Sequence, residues 1–473
     1  MNYIKPEFHS RRAFLRRAAQ LSLAGTATPF ALNLAAMGEA AAFTATDYKA
    51  LVCVFLFGGN DYANTVITYD DDSYNKYAAI RTSIAEKKAD LAATLLSPTT
   101  ALAGGRQYAL HPAMTGMAGL FNAGKAAVQL NVGPLIVPLT RAQYNSGNRV
   151  TYPIPPKLFS HNDQQSVWQS DSAEGSTVGW GGNMGDLALS SNTRSQFTCM
   201  SLSGGVFMSG DTALDYRIST NGAINIEPIS GSTTYRSSYV RDALTSLIQQ
   251  SRAHVLENEY NRVIKRSIES EAIISSAVAS STLSTAFSGD GLSSQLKMVA
   301  RLINARNALG VKRQVFFVGL SGFDVHDGLM DRQPLLLTKV SEAMTSFYNA
   351  TVEMGIANQV TAFTASDFGR TLSSNGDGSD HGWGGHHFMV GGAVKGKAFY
   401  GKAPPVSVGN TSAADDQWHV GSGRLLPSTS VDQYAATLAS WFGVSNSELA
   451  DVLPRLSNFG GTDYPTNLGF MAT

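Results

Sequence analysis

The strongest pattern in the chain is "ALVCVFLF" at 50–57, eight apolar residues without a polar break. A run this short, rich in β-branched and aromatic side chains, predicts a strand covered on both faces. "QVFFVGL" (314–320) and "QVTAFTA" (359–365) repeat it, and "AAVQLNVG" (126–133), "FTCMSLSG" (197–204) and "HFMVGG" (387–392) are weaker versions. Between these runs the period changes to that of a helix. Leu110, Met114, Met117, Leu120 and Phe121 form one apolar stripe, ended by Gly124. Val240, Leu244, Leu247 and Ile248 open a long helical stretch over 236–282, continued by Leu256, Val263, Ile264, Ile268 and Ile273. Further helices are predicted over 293–309, 331–355 and 431–444, and a short one over 160–170 starting at Ser160 or Asn162. Strands alternating with helices predict an α/β fold with a mostly parallel central sheet flanked by helices. Residues 204–235 are rich in Gly, Ser and Thr and read as short strands and turns. The expectation is a single domain over 43–473, with an inserted segment at about 204–290.

The N-terminus does not fit this pattern. "HSRRAFLRRAAQLSLAGTATPFALNLAAMGEAAAF" places the pair Arg11 and Arg12 before a weakly apolar run from Ala18 to Ala36, which Gly25 and Pro29 interrupt. Ala40, Ala41 and Ala42 supply small residues for cleavage. The run is too broken to span a bilayer comfortably. Residues 1–42 therefore read as a twin-arginine signal peptide, with the twin-arginine translocase as a partner during export and a periplasmic or secreted destination. No later apolar segment is long enough for a permanent membrane span. Cys53 lies within the first strand and reads as a buried thiol; a disulfide with Cys199 is not expected.

Charge and composition remove other classes. Thirty-six basic residues balance thirty-six acidic ones. That gives no electrostatic footprint for nucleic acid. No G-x-G-x-x-G follows the first strand and no heme motif appears, which leaves little support for a redox enzyme.

The candidate chemistry clusters at strand ends. Asp61 follows the first strand in "FLFGGND", Asp324 and His326 follow "QVFFVGL" in "SGFDVHDG", and Asp367 and Arg370 follow "QVTAFTA" in "SDFGRT". The stretch "TASDFGRTLSSNGDGSDHGWGGHH" (364–387) adds Asp377, Asp380, His381, His386 and His387 among six glycines. A parallel sheet brings the loops at the C-terminal ends of its strands to one rim. A mixed Asp/His set without cysteine suits a catalytic divalent metal such as zinc or manganese, because grouped carboxylates repel one another without a cation. Each residue also has a structural reading. Asp61 suits a helix cap, Asp324 and His326 suit bonds to loop backbone, and His387 adjoins an apolar strand and suits packing.

Several of these segments carry a family resemblance. "FLFGGND", "LHPAMTGMAGLFNAGKAAVQLNVG", "FSHNDQQSVWQS", "GFDVHDG", "SDFGRT", "DHGWGGHHFMVGGAVKGKAFYG" and "TSVDQYAATLASWFGV" occur in the order seen in the bacterial family catalogued as domain of unknown function 1501. That family is similar to the alkaline phosphatase and sulfatase superfamily. The resemblance implies an alkaline-phosphatase-like fold, one or two divalent metal ions (zinc, manganese or calcium) and a small-molecule phosphate or sulfate ester as substrate. It implies Asp61 as a metal ligand and a nucleophile at a helix N-terminus, with Ser160 the first candidate and Thr140 the second. The superfamily's D-x-x-x-H is D-x-H here, at Asp324 and His326. Its Asp-His pair is Asp367-Phe368 here, so one ligand is missing unless His381 replaces it. Arg370 is placed to bind the ester's anion. These departures also allow a non-catalytic exported protein of the same fold, acting in binding or envelope assembly.

Overall fold

The run 49–57 is too short and too evenly apolar for a surface helix, and it forms the strand at the centre of the molecule. The computed structural model describes residues 45–224, 229 and 232–472. The proposed signal peptide lies outside the described residues. In chain order the strands are β1 (Lys49–Phe57), β2 (Val66–Thr68), β3 (Tyr108–Leu110), β4 (Ala126–Gly133), β5 (Cys199–Ser201), β6 (Tyr216–Ser219) and β7 (Gly222–Ala223). They continue with β8 (Arg313–Ser321), β9 (Val360–Ser366), β10 (Arg370–Ser374), β11 (Ser379–His381), β12 (Gly385–Gly391), β13 (Phe399–Tyr400) and β14 (Thr429–Ser430).

The main sheet has the order β13-β4-β12-β9-β1-β8-β5-β6-β7, with β14 also paired to β4. β1 lies between β8 and β9, parallel to both, with Ala50 opposite Gln314 on one side and Val360 on the other. β12 runs antiparallel to β4 and β9, and β7 antiparallel to β6; the other pairings in this sheet are parallel. The α/β architecture with a mostly parallel central sheet is thus present.

Successive side chains of a strand point to opposite faces, and β1 feeds two cores. Val52, Val54 and Leu56 join the core under the helices Thr115–Asn122, Gly291–Asn304 and Leu329–Glu353. Leu51, Cys53 and Phe55 join the opposite core, with Trp168, Trp180 and the helix Val431–Phe442. Cys53 and Cys199 are both buried free thiols.

Two local expectations change. The stretch 236–282 is two helices, Ser238–Gln249 and Val255–Ala279. Gln250 and His254 are extended, and side-chain bonds hold the intervening turn: Asn261 Nδ2 to the Gln250 carbonyl (2.6 Å) and the Arg252 N–H to Asn258 Oδ1 (3.1 Å). The second change is in the Gly-rich loop after β9, which folds into the β10–β11 hairpin. No helix among the described residues is long and apolar enough to cross a membrane.

Candidate metal centre

The C-terminal ends of β1, β8 and β9 open on one rim, and the β10–β11 hairpin closes over it. Two glycines permit the close approach. Gly58, just past β1, has φ +116°, and a Cβ there would lie 2.3 Å from the Asp324 backbone nitrogen. A Cβ on Gly378, in the hairpin turn, would lie 2.3 Å from the His326 carbonyl carbon. Without side chains at these points the hairpin delivers His381 beside Asp324 and His326.

His161, Asp324 and His381 each offer a ligand atom within 4.8 Å of the others. His161 Nε2 is 3.4 Å from Asp324 Oδ2, and His381 Nε2 is 3.2 Å from Asp324 Oδ1. His326 Nε2 joins them, 3.0 Å from Asp324 Oδ1 and 2.9 Å from His381 Nε2. The other nitrogen of each ring is tied to an acceptor. His161 Nδ1 faces Asp367 Oδ2 at 2.6 Å, His381 Nδ1 the Phe159 carbonyl at 2.8 Å, and His326 Nδ1 Asp380 Oδ1 at 3.3 Å. A carbonyl or carboxylate can only accept, so the short Nδ1 contacts place a proton on Nδ1 of His161 and His381, whose neutral rings then present the Nε2 lone pair, whereas His326 faces a carboxylate from both nitrogens. Phe368 stacks against the rings of His161 and His381, with centroids 4.9 and 4.7 Å away. Where a ligand was expected after Asp367, this aromatic side chain instead fixes two imidazoles.

The residues fit a divalent cation. Two imidazole lone pairs 2.9 Å apart beside a carboxylate repel unless a proton or a metal ion lies among them. Ligands about 2.0–2.1 Å from a tetrahedral zinc lie about 3.3–3.4 Å from one another, close to the contacts above. His161 Nε2 and Asp367 Oδ1 are buried atoms without a hydrogen-bond partner. Imidazoles whose Nδ1–H is held by a carboxylate or carbonyl are the usual arrangement around a metal. Burial pushes His381 below the usual imidazole value, toward the neutral form a metal requires. The hydrogen bond that His161 donates to Asp367 raises His161 instead, so His161 must lose a proton before it can ligate. Burial opposes charge on Asp324, but Arg370 and the neighbouring His161 and His326 hold its carboxyl down at about 2. The side chain of Asp324 is 45% exposed and those of His161 and His381 about a quarter exposed, so the cluster is open to solvent on one side.

Not every expected residue joins this cluster. Asp61 caps the short helix Tyr62–Thr65, accepting from the N–H groups of Ala63 and Asn64. Arg81, itself fully buried, donates to both of its oxygens at 2.7 and 2.5 Å, and the Ser379 hydroxyl takes Oδ2 at 2.6 Å. Asp61 is therefore an ion-pair partner in the wall of the site, with no oxygen left for a metal. Asp367 stands behind the cluster, and its Oδ2 accepts from His161, Gln165 and the Gly58 N–H. Arg370 is fully buried and donates to Asp324 and to the carbonyls of Gly58 and Ser379, so its guanidinium is not presented to an anion.

Ser160 precedes the helix His161–Ser170 without making a capping bond; its hydroxyl donates to Asp163 Oδ2 at 2.9 Å. Thr140 caps the helix Arg141–Asn145 in a capping box with Gln143. His386 accepts from the Asn131 N–H, and His387 packs edge-on to Trp168, both away from the cluster. His161 itself was not among the residues expected in the site. Its signal was its place at the first position of a short helix, next to the serine that drew attention.

An α/β molecule with a His/Asp cluster at its sheet edge is the class these observations define. A family model described as "Protein of unknown function (DUF1501)" matches residues 48–422, and the chain belongs to that family. No curated protein matches the chain. Two matching solved structures are distant in sequence. One is Ps i-CgsB in complex with k-i-k-neocarrahexaose, at 9% identity and TM-score 0.35, over 89% of this chain and 78% of that one. Another is the PsFucS1 sulfatase from Pseudoalteromonas sp., at 10% identity and TM-score 0.34, over 99% of this chain and 78% of that one.

Proposed function

We propose that this protein is an exported, metal-dependent hydrolase of phosphate or sulfate esters. The observation that carries the reading is the convergence of three imidazole Nε2 atoms on the two oxygens of Asp324. His161, His326, His381 and Asp324 would hold one divalent ion. The nitrogen-rich set favours zinc or manganese over calcium, which takes oxygen ligands. When bound, the ion supplies Lewis-acid polarisation of an ester oxygen and lowers the pKa of an attacking hydroxyl. Asp367 and the Phe159 carbonyl orient the imidazoles, and Arg370 keeps Asp324 ionised and in place.

Ser160 is the candidate nucleophile. It lies between Phe159, whose carbonyl holds His381, and His161, and its hydroxyl already points its proton at the Asp163 carboxylate. A serine bonded to a base is the usual form of an activated hydroxyl. The test is turnover of aryl phosphates and aryl sulfates by the purified chain. Asp324→Asn and Ser160→Ala are each expected to abolish it, and Ser160→Ala to leave metal content and melting temperature unchanged, since its side chain caps nothing. Wild-type turnover in Ser160→Ala would remove Ser160 from the role, and absence of turnover in the wild type on both ester classes would refute the hydrolase reading.

The export part rests on Arg11 and Arg12. Replacing both by Lys is expected to leave the precursor in the cytoplasm. Unchanged processing would assign the segment to another route.

A further inference from the structure

The loop after the short helical turn Asp415–Trp418 lies against the β10–β11 hairpin, and backbone bonds hold it there. The Val420 N–H donates to the Arg424 carbonyl and the Arg424 N–H to the Gly421 carbonyl, both at 2.9 Å. The Gly384 N–H donates to the Leu425 carbonyl at 2.9 Å. Gly423 has φ +68°, and a Cβ there would collide with Leu372 Cβ, so the turn is pressed onto β10. The backbone of Arg424 is thereby fixed beside the metal cluster.

The Arg424 side chain is half-buried and bridges two of the groups that build the cluster. Its Nε donates to the His381 carbonyl at 2.8 Å, and its guanidinium carbon lies 5.3 Å from the centroid of the Phe159 ring. Phe159 has φ +75°, a conformation that a bulky side chain rarely adopts. Its carbonyl takes His381 Nδ1, its ring carries Arg424, and Ser160 is the next residue.

The rest of this guanidinium is uncommitted. Among the described residues neither terminal nitrogen of Arg424 has a hydrogen-bond partner and no carboxylate forms an ion pair with it. Asp380 feels its charge but bonds His326 and Asn375 instead. The neighbouring cations are engaged: Arg370 with Asp324 and two carbonyls, and Lys157 with Asp163 Oδ2 at 3.6 Å. A guanidinium keeps its charge at any working pH, and its planar fork matches two oxygens of a phosphate-like anion.

We propose that Arg424 binds the tetrahedral oxyanion of the substrate, its two terminal nitrogens taking two oxygens of the phosphate or sulfate group. The role offered by position to Arg370 falls to this later loop. That the oxyanion belongs to an ester rests on the hydrolase function proposed above; binding of the free anion does not.

The test is calorimetric titration of the purified full chain with inorganic phosphate and with inorganic sulfate, beside Arg424→Met and Arg424→Lys. Methionine keeps an unbranched stem against Phe159 without the charge, and lysine keeps the charge without the fork. The wild type is expected to bind at least one of the two anions at millimolar concentration or below. Arg424→Met is expected to bind it about tenfold more weakly or worse, with the metal content of the wild type and a cooperative melting transition. Arg424→Lys is expected to fall between the two. If the methionine variant does not fold, the lysine variant decides, and wild-type affinity in it overturns the forked contact. A wild type that binds neither anion overturns the proposal, as does Arg424→Met with wild-type affinity. Affinity that falls only in step with metal content makes Arg424 a structural tie for His381 and also overturns it. Anion binding through Arg424 without turnover of either ester class leaves the oxyanion site standing and removes the hydrolase reading. Turnover with anion binding indifferent to Arg424 does the reverse.

Discussion

At the residue scale, the two buried aspartates at strand ends have different tasks, and substitution separates them. Asp367 holds His161 by its Nδ1–H. Losing such a partner to a metal-bound histidine costs about 10–100-fold in metal affinity, so Asp367→Asn is expected to weaken metal binding by that factor, measured by competition with a chelating dye. Asp61 is paired with Arg81, with side chains 2% and 0% exposed. Breaking a buried ion pair by removing one partner costs about 3–5 kcal/mol. Asp61→Asn is expected to lower stability on that scale in chemical denaturation while the folded protein keeps its metal. Loss of metal at unchanged stability would return Asp61 to the ligands. The residue pattern shows why Asp61 misled. An aspartate after a buried strand has the same sequence signature whether it binds a metal or an arginine, and Arg81 lies twenty residues away in a polar stretch with no mark of burial. The alternative noted for Asp61, a helix cap, is the role it has.

At the element scale, the helix that starts with His161 ends against a charged cluster. Asp171, its left-handed C-cap residue, forms an ion pair with Arg455 Nη1 at 2.8 Å. Asp432 lies in the first turn of the helix Val431–Phe442, and one of its oxygens is buried without a partner. Burial raises both carboxyls, and the charge of Asp432 raises Asp171 further. An unfolded aspartate titrates at about 3.9. Above that value and up to the raised native ones, the native state holds more protons than the unfolded chain, so this pair makes stability fall as pH rises. Asp432→Asn removes one such group. Its melting temperature is expected to gain on the wild type between about pH 5 and about pH 8; a constant difference between the two would show that the pair does not titrate there.

The central elements were legible because buried strands and helices announce themselves by unbroken apolar runs and by period. β1, β8, β9 and the helix Val431–Phe442 all did. The β10–β11 hairpin was not legible. Its strands are polar and short, with the glycines Gly376 and Gly378 in the turn between them, and what fixes them is Arg370 bonded to the Ser379 carbonyl and contacts with the β8 loop, neither of which leaves a local pattern.

At the scale of the whole molecule, the site is assembled from segments separated by up to 220 residues: His161 from a helix, Asp324 and His326 after β8, His381 at the end of a hairpin. The sheet topology made Asp324, His326 and His381 foreseeable as neighbours, because β1, β8 and β9 end on one rim. His161 arrives from outside that logic, by a loop that crosses to the rim. A cation held there, as proposed, would tie these three segments together and has no equivalent in the unfolded chain. At a free metal concentration about 100 times its Kd it adds about 2.7 kcal/mol of stability, and a chelator is expected to lower the melting temperature accordingly. The most direct test of the account is the metal content of the purified protein by elemental analysis, wild type beside Asp324→Asn. About one equivalent of zinc or manganese per chain is expected in the wild type and a stoichiometry near zero in a folded Asp324→Asn. A folded wild type that retains no divalent metal after purification and takes up none on titration would contradict it.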